Sequence, residues 1–87
     1  MKKFVEIRED ENEGFMALMG KTITVFCMNY IYTGKLIGVN DTCILLEGAK
    51  IVYETGPLNT KDWKDAQALP NLWYISTNSV ESFGELK

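Results

Sequence analysis

The segment that decides the fold is residues 21–27, Lys-Thr-Ile-Thr-Val-Phe-Cys. Within it the apolar Ile23 and Val25 alternate with the polar Thr22 and Thr24. A period of two is typical of a strand that buries one face and exposes the other. We therefore expect a half-buried antiparallel strand here.

Four further segments have strand composition, and turn residues separate them. The expected strands cover residues 21–28, 30–39, 43–55, 72–77 and 79–83. Gly34, Gly38 and Gly48 lie inside two of them, and glycine within a strand marks a bend, a bulge or a close backbone approach. The sequence thus predicts a mainly β fold, a strongly bent five-stranded antiparallel sheet of the small SH3-type barrel class.

A different spacing precedes the first strand. Phe15, Leu18 and Met19 fall at i, i+3 and i+4, which places them on one helical face, and the acidic run before them suits a helix N-terminus. Gly20 follows in the position where helices end. We expect one short helix over about residues 10–19.

Residues 56–71 form the one long connection. A loop of this length is uncommon unless it has a function or a structure of its own. We expect Trp63 to fold the loop back onto the body of the protein, and the loop to carry a site for a protein partner.

The amino-acid composition limits the classes of function that this chain can have. The 87 residues predict a single domain, 1–87. Nine basic and twelve acidic residues give a net charge of −3, so a nucleic-acid binder would have to concentrate its few cations or rely on stacking. The absence of histidine excludes Ser-His-Asp and Cys-His catalysis and His-ligated zinc.

The remaining chemistry is also sparse. Cys27 and Cys43 lie in apolar segments without metal-ligand spacing, so we expect buried thiols, no metal and no cofactor. No carboxylate pair or Gly-rich phosphate loop indicates an enzyme. No apolar run reaches the ~18 residues of a membrane span, and no apolar leader follows Met1, so a cytoplasmic protein without membrane contact is expected.

Several short segments match a known pattern. They are Leu-Met-Gly-Lys-Thr-Ile-Thr-Val at 18–25, Gly-Lys-Leu-Ile-Gly-Val-Asn at 34–40, Leu-Glu-Gly-Ala at 46–49 and Ile-Ser-Thr-Asn-Ser-Val at 75–80. The first three resemble the first sequence motif of the Sm-like family, and the last resembles its second motif, Ile-Arg-Gly-x-x-Ile. The run Cys-Ile-Leu-Leu at 43–46 is similar to the matching piece of bacterial Hfq, a member of that family.

The resemblance implies an assembly. Sm-like proteins form rings in which the fourth strand of one subunit pairs with the fifth strand of its neighbour, and such pairing covers exposed sheet edges. This implies a cyclic homo-oligomer of about five to seven subunits. The implied interface residues are Trp73, Tyr74, Ile75, Val80 and Phe83.

The resemblance also implies single-stranded RNA binding by two loops that face the pore of the ring. In this chain those loops contain Asn40, Asp41, Thr42, Ser76, Thr77 and Asn78. The chain departs from the family pattern there. The stacking side chain and base-reading Asn of the first loop are missing, and Ser76-Thr77 replaces the Arg-Gly or Lys-His of the second.

Two alternatives remain open. The first is an oligomeric interaction scaffold on the same fold that has lost the usual RNA-binding residues. The second is a monomeric SH3-like module, because aromatic grooves bind Pro-rich peptides. The aromatic residues available for such a groove are Tyr30, Tyr32, Trp63, Trp73 and Tyr74.

Overall fold

The computed structural model describes residues 7–8 and 13–87. Its strands are β1 (Thr22–Cys27), β2 (Ile31–Val39), β3 (Cys43–Glu54), β4 (Asp65–Ala68), β5 (Trp73–Ser76) and β6 (Val80–Gly84). Two short 3-10 helices, Gly14–Leu18 and Thr77–Ser79, complete the elements. The predicted mainly β architecture is confirmed.

All strand pairs are antiparallel and belong to one sheet. The strand order is β4-β3-β2-β1-β6, and β5 also pairs with β3. The sheet is not closed, because β5 pairs only with β3 and β6 pairs only with β1 in the part of the chain that the structure describes. The 3-10 helix Thr77–Ser79 connects these two outer strands.

The prediction of five strands was wrong by one, because β4 lies in the segment predicted as a long loop. Lys50 and Leu46 lie four positions apart in β3. Their partners, Ala68 in β4 and Trp73 in β5, lie five positions apart. β4 and β5 therefore run along the same edge of β3 with a one-residue offset. The β4 sequence Asp-Ala-Gln-Ala has little strand propensity, so only the open edge of β3 makes it a strand.

Glycines bend the two longest strands, as the sequence predicted. The β2–β3 register shifts between Thr33 and Lys35, opposite Gly48, whose φ of 62° is left-handed. A Cβ at Gly34 would lie 3.1 Å from the Ala49 Cα, so only glycine lets the strands approach this closely. A second shift lies next to Gly38.

The predicted helix over about residues 10–19 is corrected to the five-residue 3-10 helix Gly14–Leu18. Residues 10–12, and the acidic run that contains them, lie outside the described residues except for Glu13. Glu13 is extended and Gly14 has a left-handed φ of 63°, so no α-helix can pass through them. Phe15 nevertheless reaches the core, with Leu18 and Met19 packed beside it.

The core lies on the concave side of the bent sheet. Its buried apolar side chains are Phe15, Ile23, Val25, Leu36, Ile44, Leu46, Ala49 and Ile75. The predicted half-buried β1 is buried on both faces in its middle, since Thr24 is also fully buried. The Thr24 hydroxyl finds no hydrogen-bond partner among the described residues.

The close approach at Gly34 gives a stability test. Gly34→Ala should lower the free energy of unfolding by about 1–3 kcal/mol, because the new methyl group presses on the β3 backbone. Urea unfolding would measure the change. Gly84→Ala is the matched control, since a Cβ at Gly84 meets nothing within 4 Å. If Gly34→Ala and Gly84→Ala had equal urea midpoints, the close approach of the β3 backbone would not exclude a side chain at Gly34.

Candidate functional site: a loop junction, two open edges and a lysine-lined groove

The two loops predicted to bind RNA do lie together. The backbone N–H of Thr77 donates to the carbonyl oxygen of Thr42 at 2.9 Å, and its hydroxyl donates to the carbonyl oxygen of Asp41 at 3.2 Å. These bonds join the β2–β3 turn to the 3-10 helix between β5 and β6. We call residues 40–42 and 76–78 the loop junction.

Much of the polar chemistry of the loop junction is used within the turns. The Asn40 Oδ1 accepts hydrogen bonds from the Thr42 and Cys43 N–H groups and from the Thr42 hydroxyl, at 2.8, 2.9 and 3.1 Å. The Ser76 Oγ accepts from the Asn78 N–H at 3.3 Å. Asp41 and the Asn78 side chain stay exposed, and the junction contains no basic residue. It therefore offers hydrogen bonds but no cation for phosphate.

The predicted interface residues separate into two groups. Tyr74 is 65% exposed, and Trp73 and Phe83 are 36% and 39% exposed. Ile75 is only 4% exposed and belongs to the core, and Val80 is half-buried against the core. Phe83 also stacks on Phe15 with ring centroids 3.8 Å apart. The open strands β5 and β6 thus expose three aromatic side chains, and the other two predicted residues pack inward.

The aromatic side chains of the peptide-binding alternative do not share one groove. Tyr30 and Tyr32 contact each other edge to face, with ring centroids 6.4 Å apart. Trp63 lines a separate cavity that none of the other four aromatic residues lines. This arrangement weighs against a continuous aromatic groove.

The ionisation of Cys27 weighs against a reactive thiol. Burial raises the pKa of this thiol, and Glu81 raises it further, while a hydrogen bond with Ser79 lowers it. Burial also raises the pKa of Tyr32. Both groups are therefore neutral at pH 7, and a protonated thiol is a poor nucleophile and metal ligand.

The sequence did not indicate an open groove of about 770 Å³. One wall is the bent part of β2 and β3, and the other is the segment leading into β4. The lining residues are Thr22, Thr33, Gly34, Lys35, Glu47, Gly48, Lys50, Lys61, Asp62, Trp63, Lys64, Asp65, Ala66 and Lys87. We call this feature the lysine groove. Its lysines are scattered in sequence, so no local motif could have indicated it.

Lys87 fixes the outer wall of the lysine groove. Its ammonium group donates to the carbonyl oxygens of Thr55, Pro57 and Asp62 at 2.8, 3.0 and 2.9 Å. It also lies 4.6 Å from the centre of the Trp63 ring, a cation–π distance. The Lys87 ammonium group thus joins the long loop to the C-terminal residue, and the packing of Trp63 on the body of the protein stays a prediction.

Two general searches give no further site. Within residues 7–8 and 13–87, no group of three or more His, Cys, Asp or Glu side chains could hold a metal ion. Over the same residues, no helix has the length and apolar character to cross a membrane.

No protein-family model matches the chain, and neither curated proteins nor solved structures give a match. The case for any function therefore depends on the geometry and on the motif resemblance.

The loop junction allows a first test. Asn40→Ala should destabilise the protein by about 1–2 kcal/mol, because it removes the acceptor of three hydrogen bonds. Asn40→Asp keeps an acceptor oxygen and should recover most of the loss. Asn78→Ala is the control in the facing loop and should change the urea midpoint little. A neutral Asn40→Ala would show that the turn does not need this side chain.

The Lys87 contacts allow a second test. Lys87→Met should speed hydrogen exchange at the Thr60 amide, whose bond to the Pro57 carbonyl lies in the loop that Lys87 holds. Lys64→Met removes an exposed lysine that pairs with Glu54 and serves as the control. Unchanged exchange at Thr60 in Lys87→Met would mean that the loop holds its conformation without the ammonium group.

Proposed function

We propose that the chain is an Sm-like protein that self-associates through the open edges of β5 and β6 into a ring and binds single-stranded RNA. The observation that carries this proposal is the pair of open edges. Among the described residues, each of these two strands has one hydrogen-bonded partner strand, and each exposes aromatic side chains. Unpaired strand edges of this kind are templates for pairing with another strand.

The open edge of β5 in one copy of the chain can pair with the open edge of β6 in the next copy. β5 and β6 follow each other in the chain but pair with different strands, β3 and β1. Antiparallel pairing of β5 in one copy with β6 in the next would satisfy both edges and bury Tyr74. The same contact repeated with a constant rotation closes a ring.

The RNA part of the proposal is supported by the motif resemblance and by the loop junction. In a ring of this kind the junctions of all copies would face a common axis. The exposed Asn78 amide and Asp41 carboxylate could then form hydrogen bonds with bases. A cytoplasmic location, as the sequence predicts, suits such a role.

A second candidate is an interaction scaffold on the same assembly. It is favoured by the loop junction itself, where Asn40 and Ser76 are occupied by turn bonds and no basic residue is present. Titration with oligo-U, oligo-A and DNA at two salt concentrations separates the candidates. Saturable binding that weakens with salt supports RNA binding, and no binding at ~50 mM salt leaves the scaffold.

Self-association has a direct test at Tyr74. Tyr74→Lys should reduce the solution mass, measured by light scattering after gel filtration, to that of a smaller species, because a charged edge side chain opposes strand pairing. Its thermal midpoint should change little, since the side chain is exposed in the protomer.

Tyr53→Lys is the matched control. Tyr53 is 52% exposed but lies on β3, an interior strand of the sheet, so its variant should keep the parental mass. A parental protein that is monomeric at micromolar concentration would overturn the ring. An unchanged mass for Tyr74→Lys would exclude the β5 edge as the contact.

A further inference from the structure

The cations of this acidic chain are concentrated in one place. Five of its nine basic residues line the lysine groove, together with three carboxylates. Over the described residues, the groove lining carries five basic and three acidic side chains, and the remaining described residues carry two basic and five acidic side chains. This separation creates a positive region on a protein whose total charge is −3.

Three of these lysines have no internal partner. Lys35, Lys50 and Lys61 are exposed, and none of them forms an ion pair or hydrogen bond in the described part of the chain. The other two are engaged, Lys64 with Glu54 at 3.2 Å and Lys87 with the loop carbonyl oxygens. The three free ammonium groups come from β2, β3 and the loop, so the tertiary fold brings them to one groove.

The groove is partly open to solvent, and its aromatic member is the half-buried Trp63. Grooves that track a nucleic-acid backbone with cations and present an aromatic ring for stacking are typical of single-strand binding. The loop junction lacks both elements.

We infer that the lysine groove binds the phosphate groups of single-stranded RNA, with Lys35, Lys50 and Lys61 as the contacting cations. The identity of the ligand rests on the proposed function, and the phosphate chemistry rests on the groove alone. The loop junction would then form specific hydrogen bonds with the RNA, and the lysine groove, a separate part of the protein, would contact its phosphate groups.

The test compares variants of the full chain that each lack one or two lysine charges. Labelled U12 is titrated by fluorescence anisotropy against the parental protein, Lys50→Gln, Lys50→Gln/Lys61→Gln and Lys21→Gln. Lys21 is an exposed lysine outside the groove that pairs with Glu85 at 3.2 Å, so Lys21→Gln is the matched control.

One phosphate contact to a single strand contributes about 0.7 to the slope of log Kobs against log salt. Lys50→Gln should therefore weaken binding about five-fold at 0.1 M salt, and the double variant about 25-fold, with salt slopes lower by ~0.7 and ~1.4. Lys21→Gln should stay close to the parental protein in both measurements.

A second titration, with inorganic tripolyphosphate by calorimetry, distinguishes the inference about the lysine groove from the proposal that the protein binds RNA. Parental U12 binding that the groove variants leave unchanged overturns the inference and leaves the RNA proposal standing. Tripolyphosphate binding that Lys50→Gln weakens, without U12 binding, overturns the RNA proposal and supports the groove as a phosphate site. Binding of neither probe overturns the inference.

Discussion

The contact between β2 and β3 at Gly34 is the constraint on which the rest of the structure depends. The Ala49 backbone lies so near Gly34 that a side chain there would meet it at 3.1 Å. The neighbouring register shift and the left-handed Gly48 turn both strands sharply at this point. A sheet bent here encloses a core on one side, although no sheet edge closes onto another.

The same bend places the surfaces that could act on a ligand. It forms one wall of the lysine groove through Lys35, Glu47 and Lys50. Among the described residues, β4 and β5 form one open edge of the sheet, on β3, and β6 forms the other, on β1, and the short helix Thr77–Ser79 joins β5 to β6. Self-association and phosphate binding, as proposed, would therefore use different surfaces of one protomer.

The loop junction and the lysine groove are assigned different proposed roles because charges and free hydrogen-bonding groups are distributed differently between them. The Asn40 Oδ1 and the Ser76 Oγ of the loop junction accept hydrogen bonds within its own turns, which leaves fewer free acceptors there. The lysine groove instead supplies donors, since the ammonium groups of Lys35, Lys50 and Lys61 have no partner among the described residues. Electrostatic attraction to a polyanion is accordingly assigned to the groove.

The sequence by itself determined the alternating apolar strands, the glycine bends, the turns at Asn40 and Asn78 and the core positions Ile23 and Val25, because these are local patterns of period and turn chemistry. It misjudged the segment before β1, where Gly14 takes a left-handed φ in place of a helical one. Only the tertiary structure decided that Asp65–Ala68 is a strand, that Ile75 is buried, and that lysines as distant in sequence as Lys35 and Lys87 line one groove. The physical reason is that these features are non-local. Strand pairing at an open edge and the accumulation of positive charge in a groove both join residues that are distant in sequence, so no short stretch of sequence contains them.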